Sequence, residues 1–233
     1  MPQLELYGEP KRAIFLARYS RDLRIDARTG QDISVATFAA NAPLDSWSAV
    51  GSSIANEPCW YYDSTKERMF LELDDGTERL TYDFPLLPRA MSGLIEFTAT
   101  STSDELLRIG THSTGNASIE IDHNGTAFAV VHHNGTASVT STATLAIADN
   151  SFYTVRWSLD STGKVQIWAA KDGAAEVAGS LSGAPSGNLA AAWSSELLHV
   201  VCFDGAGTAN TRVGLVAISA DPDATLVELQ NLF

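Results

Sequence analysis

The tetrapeptide His-Asn-Gly-Thr occurs twice in this chain, ten residues apart, at 123–126 and 133–136 within IEIDHNGTAFAVVHHNGTASVT (119–140). Asn and Gly both tolerate the positive φ that a type I′ hairpin turn needs at its two central residues. The flanking segments are short, and apolar residues in them alternate or cluster as they do in strands. Two such turns in 22 residues predict an antiparallel meander.

The same spacing extends over most of the second half. SGLIEFTAT (92–100), ELLRIGTH (105–112), ASIEID (117–122), AFAVVH (127–132), ASVTST (137–142), FYTVRWSLD (152–160), KVQIWAA (164–170), LLHVVCF (197–203) and RVGLVAISA (212–220) all read as strands. Turn signals fall at Asn124-Gly125, Asn134-Gly135, Thr162-Gly163 and Asp172-Gly173. Short strands at this spacing predict an antiparallel sandwich or barrel. The small-residue stretch 179–195 reads as a crossover or a short helical turn, and the tail TLVELQNLF (225–233) as a helix, a strand or a docking peptide.

Before Met91 the pattern is looser. AIFLARY (13–19) fits a strand or a short helix, and DARTGQDISVATF (26–38) a turn and then a strand. Residues 41–60 look like loop, CWYYD (59–63), RMFLEL (68–73) and RLTYDF (79–84) look like strands, and Pro85 and Pro88 mark a seam. The expected organisation is an extended, partly β N-terminal arm over 1–90 and an all-β sandwich over 91–233.

Charge narrows the partners. The chain carries a formal net charge of −13, which argues against a nucleic-acid surface, because phosphate contacts need clustered cations. No apolar run reaches the roughly 18 residues of a membrane-spanning helix, and MPQLELYGEPKR lacks the apolar stretch of an export leader. Residues 1–30 are the exception to the acidity: Lys11, Arg12, Arg18, Arg21, Arg24 and Arg28 outnumber Glu5, Glu9, Asp22 and Asp26. A mildly basic arm on an acidic body suits docking on copies of itself or on an acidic lattice. Cys59 and Cys202 are too few for a disulfide scaffold or a zinc site; Cys202 reads as a buried thiol, and a bond between the two is left open.

The run FYTVRWSLDSTGKVQIWAAKDG (152–173), followed by LLHVVCFDGAGTANTRVGLVAISAD (197–221), resembles the concanavalin A-like, laminin-G-like jelly roll over residues 91–221. Further upstream, Ala39-Ala40-Asn41-Ala42-Pro43 and Tyr61-Tyr62-Asp63-Ser64-Thr65 resemble a segment that precedes such sandwiches in tailed-phage structural proteins. The inserted LDSWSAVGSSIANEP (44–58) departs from that pattern. The resemblance implies a non-enzymatic virion protein of the capsid-decoration or head-fibre type, assembled in the host cytoplasm, with other virion proteins and its own copies as partners. The alternative is a carbohydrate-binding adhesin or tail-fibre module that grips a host glycan.

Sandwiches of this kind include glucanases, whose carboxylates lie along one strand as Glu-x-Asp-x-Glu or Glu-x-Asp-x-x-Glu. Glu120-Ile121-Asp122 begins that motif, but His123, Asn124 and Gly125 follow where the third carboxylate belongs. No acid–nucleophile pair is expected, and Glu120 and Asp122 read as solvent-facing. His123, His132 and His133 read as exposed turn residues, with no further ligand beside them to complete a metal set; His112 and His199 are unassigned. No cofactor is expected. Calcium at a loop rim is left unassigned, because Asp104, Asp160, Asp172 and Asp204 lack ligand spacing. The sequons at Asn116, Asn124 and Asn134 read as turn chemistry. Trp47, Trp60, Tyr61 and Tyr62 are the candidate glycan-stacking or interface aromatics, whereas Trp157 and Trp168 read as core.

Overall fold

The computed structural model describes residues 13–18, 47–50, 59–63, 65–66, 68–73, 79–83, 89–98, 104–110, 116–186, 193, 197–200 and 211–230. Fifteen strands and one helix lie within them. The first five strands are β1 (Ala13–Arg18), β2 (Trp47–Val50), β3 (Cys59–Asp63), β4 (Arg68–Leu73) and β5 (Arg79–Asp83). Then come β6 (Met91–Thr98), β7 (Asp104–Ile109), β8 (Ala117–His123), β9 (Phe128–Asn134) and β10 (Ser138–Ala143). The series ends with β11 (Phe152–Leu159), β12 (Val165–Lys171), β13 (Val177–Ala178), β14 (Leu197–Val200), β15 (Thr211–Ser219) and the helix α1 (Leu226–Gln230).

All strand pairings are antiparallel and form two sheets. The first, sheet A, runs β13-β12-β11-β6-β15-β4-β3, and β1 joins β15 beyond the point where β4 leaves it. The second, sheet B, runs β10-β9-β8-β7-β14-β5-β2. The expected all-β antiparallel sandwich is what forms. The sheets run across residue 90, since β1, β3 and β4 pair within sheet A and β2 and β5 within sheet B. The stretch 41–60, expected to be loop, contains the edge strand β2, whose Trp47 pairs with Tyr82. Of the segments with alternative forms, 13–18 is a strand and the tail begins a helix.

Period-two alternation places the core. Met91, Ile95 and Phe97 of β6 and Tyr153, Val155 and Trp157 of β11 meet Ile119, Ile121, Phe128 and Val130 of sheet B. At its centre Phe97, Phe128 and Tyr153 pack with ring centroids 5.5–6.0 Å apart. The Tyr153 hydroxyl accepts from Ala148 N at 2.7 Å and so keeps its polar end satisfied. Gly93 lies opposite Trp157 in the register, leaving space for the indole.

The other face of sheet A is covered by the tail. Leu94, Leu215 and Ala217 pack against Ala224 and Leu229. The helix starts on a capping box: Thr225 N donates to Glu228 Oε2 and Glu228 N to Thr225 Oγ1. Two polar ties fix the tail, Gln230 Nε2 to Glu96 at 2.8 Å and Ser92 Oγ to the Asp221 carbonyl at 2.6 Å. Residues 179–182, expected to belong to a crossover or a short helical turn, run beside β12 instead. Gly179 N and Ser182 N donate to the Ile167 and Val165 carbonyls. Ser141 Oγ of β10 donates to Ser180 O at 2.7 Å, which links the two sheets. Among the described residues no helix is long and apolar enough to cross a membrane.

Candidate ligand-binding face

The hairpin turns fix the register of sheet B, and they are built differently from the type I′ expectation. Gly125 and Gly135 have φ of 79° and 91°, but Asn124 and Asn134 do not take positive φ. Each Asn instead folds its side chain over the turn. Asn124 Oδ1 accepts from Thr126 N and Ala127 N, and Asn134 Oδ1 from Thr136 N and Ala137 N. The side-chain carbonyl replaces the main-chain acceptor, so only the glycine needs the left-handed region, as in a type II′ turn. The type I′ pattern appears instead between β12 and β13, at Asp172 (φ 50°) and Gly173 (φ 75°).

With that register, β8 turns Ile119, Ile121 and His123 inward and Glu120 and Asp122 outward. The histidines are therefore not exposed: His123, His132 and His133 are 1%, 4% and 7% exposed. His123 ends the inward row and stacks on Phe97 at 6.2 Å. His132 Nδ1 lies 3.0 Å from the Gly163 carbonyl, and burial lowers its pKa. It lines a pocket of about 20 Å³ with Arg89, Asp160 and Trp193, large enough for one water. Trp168 is not core either. It is half-buried, with the Arg156 guanidinium 3.7 Å over its ring, and Arg156 makes two hydrogen bonds to Glu176.

The outward row of β8 meets β7. A bulge between Glu105 and Leu107 sets Glu105 opposite Asp122 and Arg108 opposite Glu120. Directly opposed residues have Cβ atoms about 5 Å apart, so three carboxyl groups and one guanidinium share one patch. Arg108 Nη2 donates to Glu105 Oε2, and its Nε lies 3.6 Å from Glu120 Oε1. The patch is recessed, not solvent-facing as expected: the Glu105, Arg108 and Glu120 side chains are 8%, 17% and 18% exposed. Glu105 Oε1 has no hydrogen-bond partner among the described residues.

Burial pushes Glu105 from 4.5 up to about 8; Glu120 and Asp122 push the same way, and Arg108 opposes them. Burial and Glu120 lift Asp122 from 3.8 to about 6. The patch thus combines donors on the Arg108 guanidinium with acceptors on Glu120 and Asp122, while Glu105 Oε1 and Arg108 Nε are buried within it. The third carboxylate missing from the strand motif arrives from the neighbouring strand, a signal visible only once the register is known. Arg108 contacts both glutamates.

The other expected site residues fall elsewhere. Lys11, Arg12, Arg21, Arg24 and Arg28 lie outside the described residues, as do Ala39–Pro43 of the upstream motif, Cys202 and Asp204; Arg18 ends β1. Trp47 belongs to the register row Tyr82, Leu198 and Ile109, whose last member is core. Trp60 belongs to the row Leu71, Val213 and Phe97, whose last two members are core. Tyr61 pairs with Phe70 and Tyr62 with Met69. Asp160 and Asp172 serve turns: Asp160 Oδ1 accepts from Thr162 N and Lys164 N, and Asp172 Oδ1 from Phe152 N.

No protein-family model matches the chain, and no curated protein matches it. Solved structures do. Botulinum neurotoxin type C, whose cell entry depends on interaction with two ganglioside molecules, superposes at a TM-score of 0.50 with 9% identity, over 77% of this chain and 49% of that one. The binding domain of botulinum neurotoxin DC, solved with rat synaptotagmin II, superposes at 0.51 with 9% identity over 77% and 49%. The likeness is one of fold. The LG1–3 region of the laminin α2 chain matches at 0.48 with 14% identity, over 62% of this chain and 30% of that one. The chain spans about half the length of the toxin structures it matches. These neighbours are β-sandwich binding domains of the jelly-roll, laminin-G-like kind.

Proposed function

We propose that the protein is a non-catalytic binding module that recognises a polyhydroxylated ligand, a glycan, on the outer face of sheet B. The recessed patch of Glu105, Arg108, Glu120 and Asp122 carries the reading. Neighbouring sugar hydroxyls each donate and accept, and a patch offering both functions in fixed positions matches them better than an all-acidic cluster does. The glycan- and receptor-binding sandwiches of similar fold support the reading coarsely. A glycan array probed with the full chain tests it. The expected result is a defined set of hits, weakened at least tenfold by Arg108→Ala and by Glu120→Gln, with no cleavage of the bound glycan on prolonged incubation. An empty array overturns the glycan assignment. Loss of binding with Tyr62→Ala but not with Arg108→Ala moves the site to the aromatics, and cleavage products overturn the non-catalytic role.

A second reading is display on a virion as a capsid decoration or head fibre, docked through the N-terminal part. It rests on the phage-like series 61–65, whose Asp63 shapes the β3–β4 corner by accepting from Thr65 N and Lys66 N. Copy number per purified particle tests it: hundreds fit a shell component, a dozen or fewer a tail or vertex, and none removes the reading.

A further inference from the structure

We infer that Asn124 is a site of spontaneous deamidation and that Asn134, in the same tetrapeptide, is protected by the fold. The reaction is intramolecular. The Gly125 backbone nitrogen attacks the Asn124 side-chain carbon Cγ, the Cγ–Nδ2 bond breaks, and ammonia leaves. Water then opens the succinimide to aspartate or isoaspartate. Glycine at the following position imposes no side chain on the attacking nitrogen, so both His-Asn-Gly-Thr loops are equally reactive by sequence.

The two loops are also alike in backbone. Their glycines have φ of 79° and 91°, and each Asn Oδ1 accepts the same two main-chain hydrogens, so these features cancel in a comparison. The loops differ at the side-chain oxygen, where Asn124 Oδ1 also accepts from Thr126 Oγ1 at 2.8 Å, and at the reacting atoms. Asn124 is exposed, whereas Asn134 is 2% exposed. The departing amide of Asn134 donates from Nδ2 to the Ser186 carbonyl at 3.2 Å. The attacking nitrogen also faces an acceptor: Gly135 N lies 3.1 Å from His133 Nδ1 and donates to it in the tautomer protonated on Nε2, whereas in the other tautomer Nδ1 donates to the Asn116 carbonyl at 3.2 Å. Burial and a tethered leaving group slow the second loop, and the Nε2-protonated tautomer of His133 adds an engaged nucleophile.

The product matters because of where the first loop sits. Asn124 follows His123, the last residue of β8, which pairs with Phe128. The Gly125 carbonyl accepts from Ile147 N at 2.9 Å and ties the turn to the segment before β11. Isoaspartate adds a methylene to the main chain at that corner and a negative charge at the end of the sheet that carries the acidic patch.

The experiment is peptide mapping by mass spectrometry, with isoaspartate detection, of the full chain aged at mildly alkaline pH, run in parallel in buffer and in concentrated urea. In buffer, Asn124 is expected to convert about tenfold or more faster than Asn134. In urea the two rates converge, because the tetrapeptides are identical. His133→Ala should raise the Asn134 rate in buffer while leaving Asn124 unchanged. Equal rates in buffer, Asn134 converting first, or both sites silent in buffer would each overturn the inference. A difference that persists in urea would show that the fold is not its cause.

Discussion

Adding one methyl group at Gly93 tests the packing of the core at its tightest point. A Cβ built there lies 2.5 Å from Trp157 Cε2 and Cζ2 and 2.6 Å from Nε1. Carbon–carbon contacts are comfortable near 3.5–4.0 Å, so something must move by about 1 Å. The backbone is poorly placed to do so, because β6 is hydrogen-bonded to β11 on one edge and β15 on the other. The indole is fully buried and surrounded by the main cluster. Gly93→Ala is therefore expected at the upper end of overpacking costs, about 3 kcal/mol, or roughly 6–12 °C in Tm for a domain of this size. Urea unfolding followed by circular dichroism measures it without relying on tryptophan emission. Trp157→Phe in the Gly93→Ala background should restore part of the loss, with a coupling above about 1 kcal/mol. Gly183→Ala is the control: its Cβ meets nothing within 4 Å, and its midpoint should stay within about 0.5 kcal/mol of the parent. A Gly93→Ala midpoint equal to the parent's, or an absence of coupling, refutes the reasoning.

Acidity gives a second test. Glu105 and Asp122 have pKa values raised by folding to about 8 and about 6, so the native state holds protons that the unfolded chain has lost. Their contribution is complete below the unfolded values near 4 and fades as pH rises through 6 and then 8. His132, lowered by burial, acts oppositely: its contribution is present above about 6.5 and is lost as pH falls. Urea midpoints should accordingly decline from about pH 6.5 to about pH 8.5, and Glu105→Gln should flatten that decline by about 1–2 kcal/mol; an unchanged slope counts against the burial of Glu105. Leu229→Ala, which empties the middle of the apolar patch between tail and sheet A, should cost about 2 kcal/mol. It should also increase binding of a hydrophobic dye, and a silent variant would mean that the tail adds little to stability.

The strands after Met91 were legible because period-two patterning and turn residues agree there. The failures have separate physical causes. The strand β2 was missed because WSAV sits among Ser, Gly and Pro and occupies a sheet edge, where apolar alternation is not demanded. The turn type was missed because the backbone can use the Asn side chain as its acceptor, a choice that the Asn-Gly pair does not reveal. The chemistry of His123 suggests an exposed turn, but parity puts it on the inward row, two residues beyond Ile121 and four beyond Ile119.

The candidate site was half legible, for a geometric reason. A search for carboxylates at i, i+2 and i+4 finds only sites that run along a strand, and Glu120 and Asp122 are the part that does. Sheet sites are also built across strands, and there the information is register. Between β8 and β9 the Asn124-Gly125 turn fixes register locally, within the sequence. Between β7 and β8 a longer connection and the bulge at Glu105/Leu107 set it, and a shift of one residue would send Glu105 and Arg108 to the core face. That shift would bury an ion pair against Ile119 and Ile121 and turn out Leu107 and Ile109, which are fully buried. The hydrophobic requirement of β7 thus selects the register, and the patch follows as its consequence on the opposite face.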